Sequence, residues 1–353
     1  NMATTTPNYG WSVPTSSDLV KNGATDIETL GDSVDASLWS SGYGQAGKNK
    51  LVNGDCSIAQ RGTSFTATGY SLDRWRAAIT GTTTVSQETS DLPTNPYFRY
   101  GIKFVTGAAA SFSQFQQALE TTTVVGLRGL SVTISGYVKI TGGYTGNWLV
   151  QKFYSTSTDT LVSQTTQIGS NVTIATSATS TWTRFSDTFT VPTDANGLMI
   201  QFAPNTAQAS GVTVRMTGMQ LEVGSKATPF QTASGGSPQA ELAMCQRYYY
   251  RFTPTATTRY GSALADSTTT ALVLFVYPVT MRAIPTALEQ SGVAADYSLA
   301  GVATTVCSIV PVFSSANVAN GNVGFTVASG LVAGQALQGR LLTGAYLGWS
   351  AEL

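Results

Sequence analysis

The side chains in this chain that could do chemistry are few, and histidine is absent altogether. Without it, a Ser-His-Asp or Cys-His arrangement, a histidine general base and a histidine-bound metal are all excluded. Carboxylates remain. A glycosidase needs only two, one to give a proton and one to act as base or nucleophile, and Glu88, Asp91, Glu120 and Asp187 could supply the pair. Separation along the chain does not give separation in space, and each of the four fits a solvated or strand-edge position as well. No G-x-x-x-x-G-K-[ST] loop and no dinucleotide fingerprint after a strand occurs. Cys56, Cys245 and Cys307 lie far apart with no C-x-x-C pair. They read as buried, reduced thiols rather than zinc ligands or a disulfide framework.

Binding chemistry is better represented. The apolar face of a sugar ring stacks on an aromatic ring while polar neighbours take its hydroxyls. Thr141-Gly-Gly-Tyr-Thr-Gly-Asn-Trp148 sets Tyr144, Asn147 and Trp148 at a glycine-rich loop, and Asn95-Pro-Tyr97 offers a second aromatic. Trp148 has an alternative reading, in which it begins a strand and packs inward with Val150. Trp75 and Trp182 lie within strand-like patterns and read as core.

The elements that must position these residues are mostly strands. Phe98, Tyr100, Ile102 and Phe104 alternate with Arg99 and Lys103, and Val132, Ile134, Val138 and Ile140 alternate with Thr133 and Lys139. Phe185, Phe189 and Val191 share a parity, as do Leu198, Ile200 and Phe202. Half-buried antiparallel strands give this alternation, and a long series of them favours a sandwich or jelly roll. Between Val212 and Val223 the apolar parity slips at Thr217-Gly218, which predicts a β-bulge. Thr232 to Pro238 is a small-residue linker, with Ser237 as N-cap and Pro238 as first residue of a short helix carrying Leu242, Cys245 and Tyr249 on one face. Near the N-terminus, Thr15-Ser-Ser-Asp18 offers capping oxygens before an apolar stripe of Val20, Ala24, Ile27, Leu30, Val34 and Leu38. So narrow a stripe fits either a helix packed on its own domain or a short coiled coil between subunits. The expected fold is mainly β: a short N-terminal helical segment (1–50), a jelly-roll-like antiparallel sandwich (51–230), and, after the linker, a C-terminal β domain (231–353).

Composition narrows function. Charged residues make up 11% of the chain, against roughly 25% in an ordinary soluble domain. With 19 basic and 19 acidic side chains there is no basic field for nucleic acid. Asn1-Met-Ala-Thr4 has neither the basic run nor the apolar core of a signal peptide. No apolar run approaches the ~18 residues of a membrane span, and the longest, Ala271 to Tyr277, fits a buried strand. From Tyr297 to Gly339 no residue is charged, as in the core of a permanent subunit interface.

Several blocks resemble bacteriophage tail-fibre and minor tail proteins, the N-terminal one those of actinobacterial phages. They are Tyr9-Gly-Trp-Ser-Val-Pro14 with Asp18 to Asp32, Leu51-Val-Asn-Gly-Asp55 with Gln60 to Phe65 and Asp73-Arg-Trp75, Met216 to Gly224, Ala227-Thr-Pro-Phe230, Glu241 to Tyr249, Tyr277 to Thr286, and Trp349 to Leu353. The resemblance implies a carbohydrate-binding-module-like sandwich followed by a C-terminal trimerising domain. It favours the coiled-coil reading of the N-terminal helix and a virion protein assembled in the host cytoplasm. The expected partners are two further copies of the chain, other virion proteins through the N-terminal segment, and host cell-surface carbohydrate. No enzyme activity and no cofactor are expected. Structural calcium is the one metal the resemblance suggests, with Asp55 as candidate ligand, although Cys56 follows where such modules carry an aromatic. A purely architectural role, as fibre shaft or head decoration, and a glycan depolymerase are the alternatives.

Overall fold

The structure, a computed structural model, describes the chain apart from residues 1–3, 8–10, 16–21, 42–45, 95, 109–111, 161–162 and 177–179. The alternating segments pair into two six-stranded antiparallel sheets. One runs Val172–Thr176, Asn147–Ser155, Gly197–Pro204, Gln114–Leu119, Arg76–Ala78, Gly69–Tyr70. The other runs Thr183–Thr190, Ser131–Thr141, Thr213–Val223, Gly101–Val105, Thr84–Glu88, Ser64–Phe65. Inward parities meet in one core, where Ile134, Val138, Ile140, Val214, Met216, Leu198 and Ile200 are fully buried. Aromatics tie the sheets together: the ring centroid of Phe115 lies 5.2 Å from Phe104, 5.0 Å from Phe202 and 5.3 Å from Trp75. Each such side chain contributes about 2–3 kcal/mol by leaving water. This is the expected mainly β sandwich.

The parity slip is a bulge: pairing of Thr213–Val223 with Ser131–Thr141 jumps from Thr217 to Gln220, and Gly218 holds φ +64°. Residues just outside the sandwich close it. The Asn49 amide donates to the carbonyls of Met219 and Gln231, both at 3.0 Å, and its oxygen accepts from the amides of Leu51 and Leu221. Gly47 N donates to Ala233 O at 2.7 Å beside them.

Ser237 caps the helix Pro238–Gln246 by accepting from Ala240 N, with Pro238 in the first turn. Cys245 is buried on it, whereas Tyr249 lies beyond it, in the strand Tyr249–Phe252. The C-terminal unit has a three-stranded sheet (Tyr249–Phe252, Leu347–Ser350, Glu289–Gln290). Its second sheet has seven strands: Thr304–Val306, Tyr297–Ala300, Ala336–Leu341, Thr258–Ala265, Thr270–Val276, Asn320–Thr326, Val312–Ala316. Thr270–Val276 is not buried on both faces as expected: Ala271, Val273 and Phe275 point into a second core, while Leu272, Leu274 and Val276 are exposed.

The two units meet over three cations, of which Arg74 is the most deeply buried. The Arg74 guanidinium, 2% exposed, pairs with Glu352, donates to Ala118 O at 2.7 Å and sits 3.5 Å from the Tyr248 ring centroid. Arg61 sits 3.4 Å from the ring centroid of Tyr249, and Arg247 reaches both oxygens of Glu120 at 3.0 and 3.1 Å.

An N-terminal helix covers Gly23–Ser41, with the Trp11 indole donating to Ser37 Oγ at 2.9 Å. Of its apolar stripe, Ile27 is 64% exposed and Leu30 and Val34 are half-buried. Val20 and the capping residues 16–18 lie outside the described residues. No described helix is long and apolar enough to cross a membrane.

Candidate functional site

The bulge at Gly218 shapes the outer face of its sheet into a cleft. A Cβ at Gly218 would stand 2.7 Å from Phe98 Cζ and 3.2 Å from Tyr137 Cδ2, so glycine is what lets these two rings lie over the backbone. Phe98 then packs against Tyr137 and Phe230 at centroid distances of 5.4 and 5.3 Å. Thr217 Oγ1 donates to Tyr100 O at 2.7 Å and fixes the segment before Gly101–Val105. The resulting cleft has a volume of about 960 Å³, and an adjoining hollow of about 410 Å³ shares Tyr97, Phe98, Arg99 and Tyr100 with it. Tyr97 stands at the rim, 73% exposed.

The charged groups of the cleft are two cations and two carboxylates. Arg184 donates one Nη to the carbonyls of Ala227 and Thr228, at 3.3 and 2.7 Å. Arg99 is exposed. Glu241 is buried, and its two oxygens accept from Asn53 N (2.6 Å) and Ser234 N (2.8 Å), so it fastens the linker to the sandwich. Asp55 accepts from the amide and hydroxyl of Ser57. Burial pushes its pKa upward, only partly opposed by Ser57 and reinforced by nearby Glu241. Among the described residues no cluster of three or more acidic, cysteine or histidine side chains is placed to hold a metal.

Tyr144 and Trp148 do not form an exposed sugar-stacking pair, and for Trp148 the inward reading holds: it lies at the start of the strand Asn147–Ser155 and is buried like Val150. Trp148 is fully buried, its indole N–H 3.2 Å from Met216 Sδ and its ring 6.4 Å from Phe104. Tyr144 is 4% exposed, its hydroxyl donating to Asn147 O at 3.1 Å. The glycines of the loop explain the correction. Gly142 and Gly143 hold φ +87° and +72° and turn the chain back on itself, and a Cβ at Gly146 would stand 2.5 Å from the Tyr144 hydroxyl. They fold the aromatics inward instead of presenting them. Asn147 is half-buried, and its backbone N–H donates to Asn205 Oδ1 at 2.7 Å. Of the four expected ligand-binding residues, Tyr97 alone lines the cleft, and Asn95 lies outside the described residues.

The four candidate catalytic carboxylates are engaged elsewhere. Glu88 Oε1 accepts from the amides of Thr89, Ser90 and Asp91, and Oε2 takes Arg215 Nε at 2.9 Å. Burial alone would raise its pKa, yet the bonds from Ser90, Asp91 and Arg215 outweigh it and bring it down to about 2. Asp91 pairs with Lys139 at 2.8 Å, and Asp187 with Lys152 at 2.7 Å. Glu120 belongs to the junction pair with Arg247. Burial raises the thiol pKa of all three cysteines, which are free.

Phe98, Tyr137, Arg184 and Phe230 were missed in the sequence. One signal was present. Tyr137 is an aromatic on the wet parity of Ser131–Thr141, directly opposite the parity slip, since it pairs with Thr217 and with Arg184.

No protein-family model matches the chain, and no curated protein matches it. Among solved structures it is similar to the bacteriophage CBA120 tailspike protein 4 enzymatically active domain, at 15% identity and a TM-score of 0.35 over 50% of this chain. It is similar to TmCBM61 in complex with β-1,4-galactotriose, at 12% identity and a TM-score of 0.33 over 50% of this chain and 99% of that one. It is also similar to the C-terminal family 22 carbohydrate-binding module of Clostridium thermocellum Xyn10B, at 13% identity and a TM-score of 0.34 over 52% and 99% of the two chains. The chain spans 21% of the tailspike domain that it matches.

Proposed function

We propose that this protein is a bacteriophage tail-fibre or minor tail protein that attaches the virion to host cell-surface carbohydrate through the cleft beside Gly218. The observation that carries the reading is exposed Tyr97 at the mouth of a cleft floored by Phe98, Tyr137 and Phe230 and rimmed by Arg99 and Arg184. Rings supply the stacking surface for a sugar, and the guanidinium N–H groups and the Asp55 carboxylate supply directed bonds to its hydroxyls. The role in the virion is supported by the resemblance of blocks along the chain to tail-fibre and minor tail proteins.

The proposed mode is binding without bond cleavage. Both oxygens of Glu241 are taken by backbone amides, which leaves Asp55 without a free carboxylate partner in the cleft. Assembly as a homotrimer would multiply weak sites: three linked sites raise apparent affinity ~10²–10⁴-fold when all reach one surface. Tyr97→Ala and Tyr137→Ala should each abolish retention on host cells and on an array of bacterial surface polysaccharides, with the thermal transition of Tyr97→Ala unchanged. Retention by both variants would move the site elsewhere, and loss of polymer on incubation with the pure protein would establish the depolymerase instead. An antibody raised against the sandwich should label virions at the tail, whereas labelling of the capsid would favour the architectural role.

A further inference from the structure

We infer that the outer face of the seven-stranded C-terminal sheet is a contact surface between copies of this chain. This rests on the homo-oligomer proposed above and names the surface that makes it. Antiparallel sheets with one wet face carry polar residues on it, and the sandwich strand Thr183–Thr190 obeys: Ser186, Thr188 and Thr190 are exposed while Phe185 faces the core. The C-terminal sheet does the opposite. The register aligns Ala336, Leu264, Leu272, Gly324 and Val312 in one row across five strands. Leu264 is 54%, Leu272 36% and Val312 48% exposed, and Leu274 (38%) and Val276 (59%) extend the same parity along Thr270–Val276. Their inward neighbours Ala271, Val273 and Phe275 already complete the core.

Absence of charge, together with the homo-oligomer proposed above, points to a second copy as the occupant. Five strands at ~4.8 Å spacing and about six residues at ~3.4 Å give a face of roughly 24 by 20 Å. That is on the order of 500 Å² before side-chain relief is counted, against ~800 Å² per partner in a standard interface. It falls within the ~300–600 Å² of the largest patch on a typical lone chain, a size that often marks a functional surface. The next row is uncharged, with polar Ser262, Asn322 and Ser315 in register beside Leu274. Charge enters at one end, where Arg259 pairs with Arg340 across neighbouring strands. Close to a symmetry axis a residue meets its own copy, so a charge there would meet its like. An apolar centre with a charged rim meets that condition, whereas a partner recognised by charge would find nothing to read.

Light scattering at micromolar concentration should return a multiple of 37.0 kDa for the native chain. The double variant Leu264→Glu, Leu272→Glu should return the mass of one chain, with its circular dichroism intact because both positions already face solvent. A separate reporter avoids any folding defect. Cys56, Cys245 and Cys307 are buried, so in Val276→Cys a maleimide reads the new thiol alone. It should be protected at micromolar concentration and reactive on dilution. A native monomer overturns both this inference and the proposed oligomer. A native oligomer whose Val276→Cys thiol reacts equally at every concentration overturns this surface alone.

Discussion

At the scale of single residues, the side chains that could do chemistry are used to hold the fold. Glu88 is the strongest case. Its carboxyl titrates at about 2 in the folded protein, well below the ordinary ~4.3. A depressed carboxylate contributes stability that is fully present above the unfolded value and is lost as pH falls toward the folded one. The melting temperature should therefore drop between about pH 4.5 and pH 2. Glu88→Gln should lose about 2 kcal/mol at neutral pH, the worth of a charged hydrogen bond, and show a flatter acid limb; an unchanged limb would remove Glu88 as its source. Trp148, open in sequence to either a sugar-stacking or an inward reading, is core, so Trp148→Ala should cost about 3–5 kcal/mol in chemical denaturation. A loss below 1 kcal/mol would contradict its burial.

At the scale of elements, strand parity was legible because burial on one face is written into alternate residues. The bulge was legible too, since a slip of one residue leaves apolar side chains on the wrong face unless the backbone absorbs it. The direction of a loop was not. Whether glycines present or hide a neighbouring aromatic depends on backbone angles such as those at Gly142 and Gly143, which residue types permit but do not choose. The cleft was hidden for a related reason: Phe98 continues the apparent alternation of Ile102 and Phe104, yet the strand begins only at Gly101. Phe98 therefore joins the cleft rather than the core. Gly218→Ala tests the bulge as the cleft's foundation. With φ +64° and a Cβ 2.7 Å from Phe98, it should cost about 1–3 kcal/mol and weaken carbohydrate retention with it. If carbohydrate retention is unchanged, the bulge does not shape the ligand surface.

At the scale of the whole molecule, sandwich and C-terminal unit are fastened by cations that neither unit could bury alone. Arg74 and Glu352 are 2% and 4% exposed, and removing one member of such a pair strands the other without water or a counter-charge. Glu352→Ala should cost about 3–5 kcal/mol and split one calorimetric transition into two. A single transition at the native temperature would mean that the pair contributes nothing to the coupling. None of this junction was visible beforehand, because its partners lie hundreds of residues apart in the chain and no periodicity links them.

The clasp at Asn49 has a mechanical meaning. The chain reaches the sandwich at Gly47 and leaves it at Ala233, and the two are hydrogen-bonded at 2.7 Å beside the four bonds of Asn49. Tension between the N-terminal helix and the C-terminal unit crosses directly from one side of the clasp to the other. The strands between are shielded from it until the clasp tears. In the attachment role proposed above, a particle straining against its host would thus pull on two adjacent backbone segments while the cleft keeps its shape. In a single-molecule extension experiment Asn49→Ala should lower the first rupture force and leave the later unfolding of the sandwich unaltered; an equal first rupture in both proteins would show that the load runs through the strands.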